Sequence, residues 1–335
     1  MNTIPLYAPQ SNYSSKVYNS GCWIDGSYTK ELEERLKEYL HVPYVILTSS
    51  GTAALLAAYW VLKNKKLPLV VDPYTFPATY QPARMLDYEI IFQRMIMPKQ
   101  VNPVVLIPEK RMYTVTHLFG QPNVLIEPYA KQLCIEDACQ AFGAKYNGQC
   151  VGTIGSIGCY SFYPTKTLHT CGHAGAVVTK DERYYRSMKT FIESGRENGK
   201  MTNTIALNLR IDELKAEYIL KELSQYDKRI SLQREIAEEY KQCIPEKQPL
   251  VEEIPGNFNI YSVFNLLIKK RDAFRKHMEK FGIQTMVYYN EDMLPVRQRN
   301  AYKDITSSIV SIPCRYSLTT KEVKKITFAL KAWYV

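Results

Sequence analysis

Lys166 stands in the run SIGCYSFYPTKTLHTCGHAGAVVTK, which extends from Ser156 to Lys180. The pattern predicts an apolar strand over Ile157 to Phe162, a break at Pro164, and a second strand over Ala176 to Thr179 after Gly172 and Gly175, so the lysine falls on a turn. A lysine amine in a dry pocket beside a carbonyl is a nucleophile, because burial disfavours the ammonium and frees the lone pair. Lowering an ordinary lysine from about 10.4 to about 7.5 costs roughly 4 kcal/mol, which burial alone supplies. Taken singly, a lysine at such a junction is ordinarily a solvated charge.

Its company widens the reading. Asp137 follows the strand Leu133-Cys134-Ile135 in the run IEDACQAFGA. Alone it reads as a helix N-cap. Beside a pyridine ring, the same carboxylate keeps the ring nitrogen protonated and makes the ring an electron sink. Gln140, three residues on, is placed to reach the ring's phenolic oxygen, and Phe76, in PYTFPAT, to stack on its face. Stacking adds only about 0.5–1.5 kcal/mol beyond burial, so Phe76 positions the ring rather than setting affinity. Ser161 is either a donor to the cofactor phosphate or a core serine bonded to backbone. Ser49-Ser50-Gly51-Thr52 lies between a predicted strand (Tyr44 to Leu47) and a predicted helix (Ala53 to Lys63). That order aims backbone N–H groups and a positive dipole end at an anion such as phosphate; it equally suits a plain N-cap by Ser50 or Thr52.

The elements that must position these residues alternate along the chain. An amphipathic helix is predicted over Thr29 to Leu40, with Leu32, Leu36, Tyr39 and Leu40 on one face. Short apolar strands follow at Leu69 to Val71, Glu89 to Phe92, Val104 to Ile107, Tyr113 to Leu118 and Leu133 to Ile135, with a helix-compatible stretch at Pro77 to Leu86. Runs buried on both faces and separated by crossovers indicate a mostly parallel sheet covered by helices. Ligands of such sheets sit at the carboxyl ends of the strands, where Ser50-Gly51-Thr52, Asp137 and Lys166 fall. Two helices are predicted over Ile211 to Cys243, then a proline-bearing connection over Ile244 to Pro255. Beyond it lie a strand (Tyr261 to Ile268), a helix (Arg271 to Phe281) stopped by Gly282, strands at Ile283 to Tyr288 and Ser308 to Ile312, and a last helix capped by Thr319 with Glu322.

Bulk properties narrow the function class. With 335 residues the chain can bury one large α/β core plus a smaller domain. No apolar run approaches the ~18–20 residues that span a bilayer, and Met1 to Gln10 lacks the blocks of a signal peptide, so a cytoplasmic protein away from the membrane is expected. Eight cysteines, Cys22, Cys134, Cys139, Cys150, Cys159, Cys171, Cys243 and Cys314, contain no C-x-x-C pair and are expected as reduced thiols, with no metal site. A formal charge of +10 is spread over 43 basic and 33 acidic residues without a basic run, which speaks against nucleic acid and suits a diphosphate-bearing small substrate.

SSGTAALLAA, DPYTFPAT, THLFGQP, IEDACQAFGAKYNGQCVGTIGSIGCYSFYPTK, ALNLRIDEL and SIPCRYSLT stand in this order. In these segments the sequence resembles, over nearly its whole length, the pyridoxal 5'-phosphate (PLP) dependent nucleotide-sugar aminotransferases of the DegT/StrS family. The resemblance implies an α/β fold of type I. A large PLP-binding domain (1–230) would hold a mostly parallel seven-stranded sheet between helices, followed by a small α+β C-terminal domain (231–335). It implies that Lys166 holds PLP covalently and then shuttles a proton, and that Asp137 pairs with the pyridinium. Gln140 would pair with the phenolic oxygen, and Phe76 would cover the ring. Gly51, Thr52 and Ser161 would hold the phosphate, joined by Asn208 from the neighbouring subunit of a homodimer. Arg210, His173 and Tyr316 are the implied substrate contacts.

The implied reaction takes the amine of glutamate onto the cofactor as pyridoxamine phosphate (PMP). The amine then passes to a UDP- or dTDP-linked 4-keto-6-deoxyglucose, giving a 4-amino-4,6-dideoxy sugar of the viosamine or perosamine type for glycan biosynthesis. The sequence departs from the family at three places. Gly172-His173-Ala174-Gly175 replaces a turn that commonly carries an acidic residue, Ala206 replaces a glycine ahead of Asn208 and Arg210, and the loop Tyr289 to Arg297 lacks a histidine. All three lie on the substrate side. Three alternatives accompany this reading: amination at the third carbon, a sugar dehydratase of the same family, and a non-catalytic sugar-nucleotide-binding member.

Overall fold

Leu32, Leu36 and Leu40 recur at every fourth position, and that stripe is the buried side of α1 (Ser27–Leu40). Its first turn is held from a distance. The carboxylate of Glu213 accepts the backbone N–H groups of Gly26, Tyr28 and Thr29 at 2.9–3.0 Å, supplying the negative charge a helix N-terminus favours. β1 (Tyr44–Thr48) leads into α2 (Gly51–Leu62), which is apolar on nearly every side and buried along most of its length. The computed structural model describes residues 4, 15–63, 66–95, 110–124, 126–197, 199–245 and 256–334.

One seven-stranded sheet dominates the described residues. After β1 its strands are β2 (Leu69–Val71), β3 (Ile90–Phe92), β4 (Met112–Thr116), β5 (Leu133–Asp137), β6 (Ile157–Ser161) and β7 (Gly175–Thr179), in the spatial order β1-β7-β6-β5-β4-β2-β3. β7 pairs antiparallel with both β1 and β6, whereas the β2–β3, β2–β4, β4–β5 and β5–β6 pairs are parallel. β4, β5 and β7 consist largely of fully buried residues, as a sheet covered on both faces requires. One face packs on α2 and on α3 (Glu182–Ile192); the other packs on α1 and α4 (Glu213–Leu223).

α5 (Tyr226–Lys241) joins two cores. Its Tyr226 and Ile230 pack in the cluster under α1, while Ile236, Ala237 and Tyr240 pack in a second cluster. That second cluster also takes residues from β8 (Phe264–Leu267), α6 (Arg271–Lys280), β9 (Ile309–Ile312) and α7 (Thr320–Tyr334). β8 and β9 pair antiparallel. α7 starts with the expected reciprocal cap: Thr319 N–H donates to Glu322 Oε2 at 2.8 Å, and Glu322 N–H to Thr319 Oγ1 at 3.3 Å.

Several expectations change in detail. The strand expected over Ile283 to Tyr288 is not continuous, because the segment switches neighbours: Ile283 bridges to Ile4 and Met286 to Ser311. The strand expected from Tyr261 begins only at Phe264, since Tyr261 takes a left-handed conformation (φ 47°) and its carbonyl, with that of Ile260, accepts from Gln233 Nε2. β4 stops at Thr116, where residues 118–120 make a 3-10 turn. α3 was not anticipated, although Asp181 caps it and Met188, Phe191 and Ile192 mark its buried side. Val104 to Ile107 and most of the connection Ile244 to Pro255 lie outside the described residues. Among the described residues no helix is long and apolar enough to cross a membrane.

Candidate active site

The carboxyl ends of β4, β5 and β6 and the N-terminus of α2 open on a cavity of about 610 Å³. Ser262, Val263, Met286, Val287, Tyr288 and Tyr289 close it from the C-terminal part of the chain. Gly51, Thr52, Phe76, Asp137, Gln140, Ser161, Lys166 and His173 all line it. Eight of the eleven residues singled out in the sequence therefore converge on one space.

Lys166 lies five residues past the end of β6, and its backbone N–H donates to the Tyr163 carbonyl at 2.9 Å, which closes the turn. Its side chain is half-buried. Loss of hydration lowers the amine's pKa below the ordinary lysine value, and Cys139 and Asp137 oppose the shift. Burial pushes the Cys139 thiol far up, so Cys139 is neutral and Asp137 supplies the negative charge.

Asp137 ends β5 with both carboxylate oxygens engaged. Oδ1 accepts from Cys139 N–H at 3.1 Å and Oδ2 from the Thr79 hydroxyl at 2.6 Å. Thr79 is itself braced: its Oγ1 lies 2.8 Å from Thr75 Oγ1, and its carbonyl accepts from Tyr59 O–H at 2.6 Å. Gln140 is pinned in the same manner. Its Oε1 accepts the N–H of Phe119, a residue in left-handed conformation (φ 60°), at 2.9 Å, and its Nε2 donates to the Tyr289 hydroxyl.

At the head of α2, Ser50 Oγ accepts from Ala53 N–H at 3.0 Å, the N-cap expected for this turn. Gly51 follows at a place where a side chain would collide, since a Cβ there would lie 2.8 Å from both Cys139 Sγ and Ser161 Cβ. The missing Cβ leaves the helix's positive end close to Ser161 and open to the cavity. At the mouth stand Phe76, 54% exposed, and Tyr163, whose ring centroid is 5.1 Å from that of His173.

These donors suit a phosphorylated pyridine aldehyde. The helix end and Ser161 fit an anion, the fixed carboxylate fits a protonated ring nitrogen, Phe76 offers a flat face, and Lys166 offers an amine. Thr116 adds a buried hydroxyl in the cavity wall with no hydrogen-bond partner. Thr79, Thr116 and Tyr289 were not singled out by residue pattern; Thr79 was within reach of it, three residues after Phe76 in the same PYTFPAT segment.

Asn208, Arg210 and Tyr316 are not brought to the cavity of their own chain. Asn208 is exposed and bridges to Glu193, and Arg210 donates to Asn208 Oδ1 at 3.2 Å and pairs with Asp25 at 2.5 Å. Tyr316 lies under the Arg229 guanidinium, 4.8 Å from its ring centroid. Among the described residues no group of three or more His, Cys, Asp or Glu is placed to hold a metal.

Comparison with known proteins bears on this site. Residues 8–331 match the model of the DegT/DnrJ/EryC1/StrS aminotransferase family. The chain is 29% identical to GDP-perosamine synthase of Escherichia coli O157:H7, an alignment covering 100% of this chain and 99% of that protein. It is 30% identical to the Pleiotropic regulatory protein of Geobacillus stearothermophilus, over 82% of this chain and 78% of the relative. Among solved structures it is similar to NtdA of Bacillus subtilis with bound cofactor PMP, with a TM-score of 0.78 and 24% identity over 94% of this chain and 79% of that one.

Proposed function

The chain belongs to the DegT/DnrJ/EryC1/StrS aminotransferase family, and from that premise we propose that it moves the amino group of glutamate to the keto carbon of a nucleotide-linked 4-keto-6-deoxyhexose. The family is PLP-dependent. The observation that carries the reading is the meeting of a desolvated Lys166 and a doubly hydrogen-bonded Asp137 in one cavity.

PLP, when bound, supplies an electron sink next to the nitrogen being transferred. Asp137 keeps a proton on the ring nitrogen, its geometry set by Thr79 and the Cys139 N–H. Gly51, Thr52 and Ser161 receive the phosphate, Gln140 the phenolic oxygen, and Phe76 one ring face. Lys166 Nζ, neutral at lower pH than a free lysine, takes the proton from the carbon of the amino donor and returns it to the sugar carbon. Val263, Met286 and Met293 give the cavity an apolar side that suits a methyl rather than a hydroxymethyl at the sixth sugar carbon. Similarity to a perosamine synthase supports the 4-keto-6-deoxyhexose class.

In this reading the site is completed by a second copy of the chain. Asn208 reaches the neighbour's phosphate and Arg210 its substrate, and His173 meets the sugar nucleotide from its own chain. Support comes from exposed apolar residues beside Asn208, with Met201 at 68% and Ile205 at 73% exposure, a surface that favours coverage.

Similarity to a regulatory protein supports a non-catalytic alternative; the intact set of Lys166, Asp137 and Gln140 weighs against it. Purified chain mixed with PLP should gain a visible absorption band that bleaches with glutamate and returns with the keto sugar. Testing UDP-, dTDP- and GDP-linked 4-keto-6-deoxyhexoses against 3-keto sugars, with products read by mass, identifies the acceptor. Protein that stays colourless with PLP overturns the reading.

A further inference from the structure

We propose that Thr116 is a cofactor-binding residue whose hydroxyl donates to the phenolic oxygen of PLP alongside Gln140. The inference rests on the reading that this cavity holds PLP. In the parallel β4–β5 pair, Thr116 is the register partner of Asp137, and the two are the last residues of their strands. Partnered residues on adjacent strands present their side chains to the same face about 4.8 Å apart, so the hydroxyl looks to the side the carboxylate uses.

Thr116 is 5% exposed, and its Oγ1 has no hydrogen-bond partner. Buried hydroxyls are ordinarily bonded, and an orphan in the wall of a ligand cavity points to a bond the ligand completes. Neighbouring groups are satisfied. The Thr116 carbonyl accepts from Asn123 Nδ2 at 3.3 Å, and the His117 N–H donates to the Asp137 carbonyl at 3.0 Å. Only the hydroxyl is left over.

The chemistry of the wall identifies the acceptor. Both Asp137 oxygens already receive protein donors, and Gln140 Oε1 is taken by Phe119 N–H. Beyond the Asp137 lone pairs that take the ring N–H, this part of the wall offers donors, the Thr116 O–H and the second Gln140 Nε2–H, and two donors suit an oxygen with several lone pairs and a negative charge. In pyridoxal that oxygen is the phenolate. It lies two ring carbons from the nitrogen, a span comparable to the spacing of two adjacent strands, so Asp137 and Thr116 can serve the two atoms together.

The test compares wild type, Thr116→Val and Thr116→Ser by three readouts that need no turnover. Thr116→Val should weaken PLP binding by roughly 10–100-fold, the loss of one bond to a charged oxygen. It should also move the pH midpoint of the visible absorbance change upward, because a donor on the phenolate disfavours protonation of the adjoining lysine linkage. Thr116→Ser should restore both. Without PLP, Thr116→Val should melt at the same or a higher temperature than wild type, because it removes an unpaired buried hydroxyl; a merely structural role predicts a loss. A Thr116→Val protein with unchanged PLP affinity and pH midpoint, including one that only raises the KM for the sugar, overturns the inference alone. A wild type that never gains the visible band overturns the cofactor reading and this inference with it.

Discussion

The Thr79 hydroxyl donates to Asp137 Oδ2 at 2.6 Å, and this bond links the segment after Phe76 to the end of β5. Thr79→Val keeps the shape and removes the donor. Bonds to charged groups contribute about 1.5–3 kcal/mol, so kcat/KM should fall by roughly 10–100-fold. Thr79→Ser should recover most of it. Equal rates in all three proteins would show that the carboxylate needs no second anchor.

Asn208 provides a test of sites shared between subunits. Lys166→Ala and Asn208→Ala should each be nearly inactive alone. After mixing and subunit exchange, hybrid dimers carry one intact site, and activity should return to about a quarter of wild type. No recovery, with exchange confirmed by mass, would place Asn208 outside the site.

Gly51→Ala inserts a Cβ 2.8 Å from Cys139 Sγ and Ser161 Cβ, neither of which is a flexible side-chain end. Overpacking of this kind costs about 1–3 kcal/mol. Thermal unfolding should shift down, and PLP affinity should drop further, since the helix end must retreat from the phosphate. Calorimetry and a PLP titration separate the two effects.

Glu33 sets a pH dependence of stability. Burial raises its carboxyl from the ordinary 4.5 to about 7, opposed in part by the Leu47 N–H. The folded state thus binds the proton more tightly than the unfolded one. Stability from this group is fully present below pH ~4.5 and is lost as pH rises to about 7, on the order of 3 kcal/mol at most. Glu33→Gln should match wild type near pH 5 and exceed it near pH 8 in chemical denaturation.

The residues legible in the sequence share a property. Gly51, Asp137, Ser161 and Lys166 lie at or just beyond strand ends, positions that hydrophobic pattern and turn residues mark locally. Thr79, Thr116 and Tyr289 owe their importance to contacts made through space, from segments that run on separately along the chain. The same distinction explains Glu213, which reads as one more helix glutamate until it is seen capping α1 from nearly two hundred positions away. It also explains the segment over Ile283 to Tyr288, whose residue types suit a strand but whose partners, Ile4 and Ser311, change within four residues.

α5 is anchored in both cores, with Tyr226 at one end and Tyr240 at the other. A rod clamped at two points resists the hinge opening by which many two-lobed enzymes swallow their substrates, because parting the lobes would require it to bend. Traffic through the entrance then falls to the rings at the lip, Phe76 and Tyr163. Small-angle scattering profiles of the empty and loaded protein should coincide.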